Sequence, residues 1–218
     1  MKSFLFPLAL VMALTLTGVP ANAQDQPRME LFLGYSALIS PSDQAVLTDG
    51  VDTVKVTRET AFINGWNASL AVNANNWLGF VGDFSGHYGP VDYRATDSID
   101  NITFGTRARI HQYMGGPQFS VRGNSTRLFI RALIGAVTVK ESVSIEDINV
   151  SESATGLALG AGAGLDVRIN DRLAWRAFQA DYFWHRFGQP KLIVNGAQIS
   201  NSTTQSNFRI STGLVFKN

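Results

Sequence analysis

The sequence predicts an all-β fold: an eight-stranded antiparallel up-and-down transmembrane β-barrel, preceded by a cleaved signal peptide. Three observations predict it. Eight separate stretches alternate apolar residues with small or polar ones at a period of two, the repeat of a strand whose faces meet different surroundings. The gaps between stretches alternate between short and long, which suits tight turns at one end and loops at the other. An export signal heads the chain.

That signal occupies residues 1–23 and leaves a mature barrel domain of residues 24–218. Met1-Lys2 is its basic start, Phe4 to Val19 its apolar body, and Pro20-Ala21-Asn22-Ala23 its small-residue cleavage site. The apolar body falls short of the ~20 residues that a spanning helix needs. No later segment is continuously apolar over that length, so any membrane crossing falls to strands.

The first stretch runs from Met29 to Leu38, with Leu31, Leu33, Tyr35 and Ala37 opposite Glu30, Phe32, Gly34 and Ser36. The second, Ala61 to Val72, sets Trp66, Ala68, Leu70 and Val72 against Gly65, Asn67, Ser69 and Ala71. Asn73-Ala74-Asn75-Asn76 is a tight turn into the third, Trp77 to Tyr88, where Leu78, Phe80, Phe84 and Tyr88 oppose Gly79, Val81, Asp83, Ser85 and His87. The fourth, Asp100 to Arg122, is expected to change phase once. Ile102, Phe104, Ala108 and Ile110 lie on its apolar face first, and Tyr113, Pro117, Phe119 and Val121 later, so a bulge is expected at Gly115-Gly116 and a ladder defect at Pro117.

After the turn Gly123-Asn124-Ser125, the fifth runs from Arg127 to Lys140, with Leu128, Ile130, Ala132, Ile134 and Ala136 opposite Phe129, Arg131, Leu133, Gly135 and Val137. The sixth, Gly156 to Ile169, is the most regular: leucine, alanine, valine and isoleucine on one face, Gly156, Ala158, Gly160, Gly162, Gly164, Asp166 and Arg168 on the other. Asn170-Asp171 then reads as a two-residue hairpin turn. The seventh, Arg172 to Phe187, slips phase near Ala177-Phe178, which carries Gln179 and Asp181 to the polar face. The eighth, Asn207 to Lys217, places Phe208, Ile210, Thr212, Leu214 and Phe216 opposite Arg209, Ser211 and Gly213. The long gaps are acidic: Asp43, Asp49, Asp52, Asp92, Asp97, Glu141, Glu146, Asp147 and Glu152 fall in them.

Alternation alone does not say which face points out. A soluble exported barrel would bury its apolar face and cover its exterior with lysine and glutamate. Here the strands carry few lysines and many glycines, and the arginines share the small-residue face. That composition fits a narrow polar lumen with lipid outside. A sheet in hydrocarbon must close, because each unpaired edge group costs several kcal/mol. Eight strands enclose a lumen just wide enough for side chains to fill. The lumen charge network is expected from Glu30, Asp83, Arg122, Arg131, Asp166, Arg168, Arg176, Asp181 and Arg209, both signs being needed for burial. Membrane-interface aromatics are expected at Trp66, Trp77, Tyr88, Tyr113, Trp175, Tyr182 and Trp184.

Charge and cysteine remove other classes. The chain has 18 basic and 17 acidic residues; losing the signal removes Lys2 and leaves 17 of each, so no basic excess points to nucleic acid. There is no cysteine, hence no disulfide and no thiolate metal site.

The segments Glu30-Leu31-Phe32-Leu33-Gly34-Tyr35-Ser36, Gly65-Trp66-Asn67, Phe84-Ser85-Gly86-His87-Tyr88-Gly89 and Gly116-Pro117-Gln118-Phe119-Ser120 carry a resemblance that continues through Ala132-Leu133-Ile134-Gly135, Gly162-Ala163-Gly164-Leu165-Asp166-Val167, Gln179-Ala180-Asp181-Tyr182 and the last strand. The whole mature chain resembles the small eight-stranded outer-membrane barrels of the OmpA transmembrane-domain and opacity-protein type. The resemblance implies a bacterial outer-membrane location, a monomer, lipid and the barrel-insertion machinery as partners, and no cofactor. Members commonly end in an aromatic residue; here Phe216 is followed by Lys217 and Asn218.

For chemistry the sequence offers little. His87, His111 and His185 have no partner at metal-ligand spacing, so no metal is expected. His185 near Asp181, with Ser200 or Ser206, is the one assembly that looks like a hydrolase, and its spacing does not demand catalysis; no catalytic residue is assigned. The lumen charges read either as a plug that stabilises the barrel or as a gate for a narrow channel, with the plug favoured by the small bore of eight strands. The expected role is a structural or surface-exposed barrel whose loops touch a ligand that the sequence does not name. A narrow charge-gated channel and a lipid A-modifying enzyme are the alternatives.

Overall fold

The computed structural model describes residues 27–48, 53–96, 101–145, 148–187, 192–194, 197–199 and 203–218. The signal peptide expected at 1–23 lies outside them, as do Asp49, Asp52, Asp97, Glu146, Asp147 and Ser200.

The described residues form strands throughout: β1 (Met29–Ser40), β2 (Asp43–Thr48), β3 (Thr53–Arg58), β4 (Ala61–Asn73), β5 (Leu78–Thr96), β6 (Asn101–Arg122), β7 (Thr126–Ile145), β8 (Ile148–Arg168), β9 (Leu173–Phe187), β10 (Leu192–Val194), β11 (Ala197–Ile199) and β12 (Thr203–Lys217). Eight of them close a barrel in the order β5-β4-β1-β12-β9-β8-β7-β6, with β6 pairing back onto β5. All neighbours are antiparallel. The remaining four make two short hairpins, β2–β3 against the far end of β5, and β10–β11.

The register fixes the barrel's shape. From Leu78, direct partners run through Phe119, Ile130, Ala163, Ala180, Ile210, Ala37 and Asn64, and the circuit returns to β5 at Tyr88. The ten-residue offset is the shear. Ten residues of shear over eight strands set a tilt of about 40° and a barrel radius of about 8 Å. The wall from Leu78 to Tyr88 is then about 25 Å tall, the height of a membrane's apolar band.

The turns at one end are built by side chains. Asn75 Oδ1 accepts from the N–H of Trp77 (3.0 Å) and of Leu78 (2.8 Å). The last hairpin turn differs from expectation. The strand pairing stops at Arg168↔Ala174, and residues 169–172 form the turn. Asn170 Oδ1 accepts the Arg172 N–H at 2.9 Å, an Asx geometry that a two-residue loop would not accommodate.

Three irregularities were expected, and two of them occur: the slip in β9 and the ladder defect at Pro117, without the bulge at Gly115-Gly116. β9 carries a bulge at Ala177, which has no partner on either side, so Arg176 and Gln179 both face inward. The Arg176 carbonyl freed by the bulge accepts from Thr212 Oγ1 at 2.9 Å. β6, by contrast, keeps one phase: its ladder with β5 runs from Leu78↔Phe119 to Thr96↔Asn101 without a shift. Its ladder with β7 breaks at Gly116 and Pro117, where proline lacks an N–H, and resumes in the same register. Ala108 and Ile110 therefore point inward and are buried, because that end of the lumen is filled by hydrocarbon. The side chains of Ile102 and Phe104 lie outside the described ones.

Four barrel strands run past the expected ends. β5 reaches Thr96, β7 reaches Ile145, β8 starts at Ile148 and β12 at Thr203. Asp92, Glu141 and Glu152 thus stand on paired strands instead of loops, and Asp43 lies in β2. The β7–β8 pairing continues to Ile145↔Ile148, so a stiff hairpin rises from the wall.

Candidate functional site: the charge-filled lumen

The inner face is stacked in layers. At the turn end, Glu30 of β1 takes Arg122 of β6 at 3.2 Å and also pairs with Arg127 of β7. Asp166 of β8 receives Arg176 Nε at 2.7 Å and lies 3.5 Å from Arg127 Nε. The Arg176 guanidinium is held between the Phe32 ring (4.3 Å) and the Phe129 ring (4.5 Å), which adds cation–π attraction to the ion pair. Its Nη1 donates to Gln179 Oε1 at 2.7 Å.

The next layer is a four-charge square. Arg131 of β7 donates to Asp181 through Nε and Nη2 (both 2.9 Å) and to Asp83 through Nη1 (2.9 Å). Arg209 of β12 closes the square, with Nη2 2.9 Å from Asp83 and 2.9 Å from Asp181. Asn67 donates to Asp83 (3.1 Å) and Gln179 to Asp181 (2.8 Å), filling further lone pairs. Gly162 makes this possible: a methyl group there would overlap the Asp181 carboxylate, and one at Gly160 or Gly164 would overlap the Phe183 or Phe129 ring. The glycine ladder of β8 is the recess into which neighbouring strands project.

Above the square the groups are neutral. His185 lies between Gln112 (3.0 Å) and Asn207 (2.9 Å), and Ser85 donates to Gln112 Oε1 at 2.9 Å. His87 meets Ser36 at 2.9 Å, and Ser211 donates to Ser36 at 3.0 Å. Phe183 lies between the square and His185, its ring under Arg209 at 4.7 Å. The far mouth is closed by Leu38, Ile63, Val91, Ile110 and Val137, all buried. Beyond it, burial and the Glu141 carboxylate beside it raise the Tyr93 phenol above its ordinary range, so its O–H donates to Glu141 (3.0 Å).

The fully buried charges cancel. Glu30, Asp83, Asp166 and Asp181 balance Arg127, Arg131, Arg176 and Arg209. Of the nine charges expected in the network, Glu30, Asp83, Arg131, Asp166, Arg176, Asp181 and Arg209 meet inside, and Arg122 is half-buried at the rim. Arg168 stands apart, because it ends its strand and is exposed at the turn. Arg127 was not in the expected set; its alternation with Phe129 and Arg131 is the signal that could have placed it. The buried amides and His87 were likewise not expected as network members, since neutral polar residues alternate like any others.

The outer wall is apolar. Leu33, Ile130, Ile134, Leu159, Ile210 and Leu214 are exposed there, with side chains open to the surroundings. The aromatics fall in two tiers: Trp77 and Trp175 toward the turns, and Trp66, Tyr88, Tyr113, Tyr182 and Trp184 toward the other rim. An outward apolar band about 25 Å tall between aromatic tiers, over a polar interior, is the pattern of a barrel in lipid.

The family of the outer membrane protein β-barrel domain matches residues 6–216. The chain belongs to that family. It is a bacterial outer-membrane barrel; barrels of this kind keep short turns at the periplasmic end and long loops outside the cell. The crystal structure of Ail, the attachment invasion locus protein of Yersinia pestis, matches with a TM-score of 0.51 and 18% identity, over 88% of this chain and 99% of that one. OprG from Pseudomonas aeruginosa matches with a TM-score of 0.51 and 10% identity, over 88% and 96%. Neisserial surface protein A matches with a TM-score of 0.50 and 12% identity, over 86% and 97%. These likenesses show the fold. No curated protein sequence matches the chain.

Within this outer-membrane barrel the hydrolase-like assembly does not come together. His185 is a lumen residue whose two ring nitrogens meet amides, and the Asp181 carboxylate is occupied by arginines. Ser206 accepts from Tyr182 on the opposite, outward side at 2.8 Å, and Ser200 lies outside the described residues.

Proposed function

We propose that this barrel is a structural, surface-exposed protein of the outer membrane whose lumen is a plug, and whose extracellular hairpins make its contacts with a ligand or a neighbouring surface. One observation carries the plug: the side chains of Asp83, Arg131, Asp181 and Arg209 have no exposed area, although they occupy the middle of the bore. A bore of about 8 Å radius measured to the backbone leaves no water column once four such side chains and their amides fill it. The apolar mouth above them adds a second seal. The paired extensions of β5, β6, β7 and β8 support the second half of the reading, because they hold side chains at fixed positions outside the membrane.

Planar-bilayer recording tests the plug. The wild-type barrel is expected to give no steady current. A narrow charge-gated channel would instead conduct, and would lose its current in Arg131→Ala or Asp166→Ala. The barrel acts as a monomer in this reading, with lipid against its whole wall. Its last strand serves the insertion machinery through Phe216, which faces outward near the periplasmic rim. Phe216→Ala is expected to lower the assembled yield, read as the fraction of heat-modifiable protein in membranes.

A further inference from the structure

Among the described residues the outer wall carries a concentrated charge patch at the extracellular edge of the apolar band. On β6 and β7 the outward residues change from aromatic and aliphatic to Arg109, Arg107 and Lys140, all exposed. Register places them. Tyr88 of the upper aromatic tier pairs directly with Arg109, and Arg109 pairs directly with Lys140. Strand tilt lifts each step of that row, so both charges sit just above the tyrosine, at the level of the outer leaflet's headgroups. Arg107 follows two residues higher on the same face.

Directly opposed like charges disfavour a strand pair unless something compensates them. Among the described side chains no carboxylate lies within ion-pair distance of Arg107, Arg109 or Lys140. The nearest acid on that face, Asp92, is opposite Gly105, one diagonal away from Arg107. Arg94, higher on β5, is by contrast compensated by Glu59 at 2.9 Å. The protein thus leaves three cations facing lipid headgroups at the depth where phosphate lies.

We propose that Arg107, Arg109 and Lys140 form a docking site for the phosphate of an outer-leaflet lipid headgroup, with the acyl chains of that lipid against the apolar wall below. A guanidinium engages two phosphate oxygens at once, a lysine supplies a point charge, and Tyr88 sets the depth. The site is distinct from the lumen and needs no change in it.

The test titrates diphosphoryl lipid A, and the same lipid with its phosphates removed, against the folded barrel in zwitterionic detergent, read by native mass spectrometry. Wild type is compared with the pair Arg109→Ser/Lys140→Ser and with Arg172→Ser, a cation exposed at the periplasmic turn. Heat-modifiable migration verifies that each variant is folded; should the pair fail to fold, Arg107→Gln and Lys140→Gln, singly, take its place. Wild type and Arg172→Ser are expected to hold diphosphoryl lipid A on the order of tenfold more tightly than the pair, and about three-fold more tightly than either single variant. Removing the phosphates erases the difference. Equal binding by wild type and the altered proteins overturns the proposal. So does equal retention of the dephosphorylated lipid, or displacement of lipid A by an equal concentration of inorganic phosphate, which would mean that the patch holds a small anion only.

Discussion

Asp181 shows at the scale of a residue how this lumen is made tolerable. A carboxylate in a narrow bore is stable only when its lone pairs are filled, and this one accepts from Arg131, Arg209 and Gln179. Removing one member exposes the rest. Arg131→Ala leaves Asp83 and Asp181 one cation short and is expected to cost about 3–5 kcal/mol, measured by urea unfolding in lipid vesicles. Replacing that arginine together with Asp181 by hydrophobic residues of similar volume should cost much less, which separates pairing from packing. Gly162→Ala forces the Asp181 carboxylate aside and is expected to cost about 1–3 kcal/mol in the same measurement. Legibility differs from residue to residue. Arg131, Asp181 and Arg209 stand mid-strand among clear apolar neighbours, so alternation places them inside. Arg168 has the same parity and ends outside, because parity says nothing about where the lumen stops.

β9 and β6 set out the scale of the element. In β9 the bulge at Ala177 is what puts both Arg176 and Gln179 in the lumen. Deleting Ala177 would turn one side of β9 over, sending either the Arg176 end or the Asp181 end into lipid. The deletion variant is expected to yield no heat-modifiable barrel, whereas Ala177→Ser should assemble normally. The slip was visible in the sequence because charged and apolar residues exchange faces there. In β6 a similar exchange is misleading. Ala108 and Ile110 are apolar and inward because the extracellular mouth is sealed with hydrocarbon, so the rule that polar means inside fails above the membrane. The same change of surroundings hid the extra length of β5, β7, β8 and β12, whose outer portions no longer have lipid against one face and need no alternation. Since those portions are paired throughout, the β7–β8 hairpin is expected to resist trypsin on whole cells at Lys140, with cleavage no faster than at sites inside the band.

For the whole molecule, length, eight alternating stretches and the balance of charges together made the barrel legible. The shear, the layering of the lumen and the short hairpins β2–β3 and β10–β11 were not, because they depend on which residues pair, and pairing is a long-range property. A closed wall, an internally neutral core and an oily exterior are consequences of one arrangement: apolar side chains outward, charges inward. The chain has no cysteine, so single cysteines report position without background. Single cysteines from Phe208 to Phe216, labelled with a fluorophore in vesicles containing spin-labelled lipid, would read that arrangement most directly. Quenching should alternate, strong at positions 208, 210, 214 and 216 and weak at Ser211 and Val215. Strong quenching at Ser211 with none at Ile210, or uniform exposure to a water-soluble quencher, would contradict it.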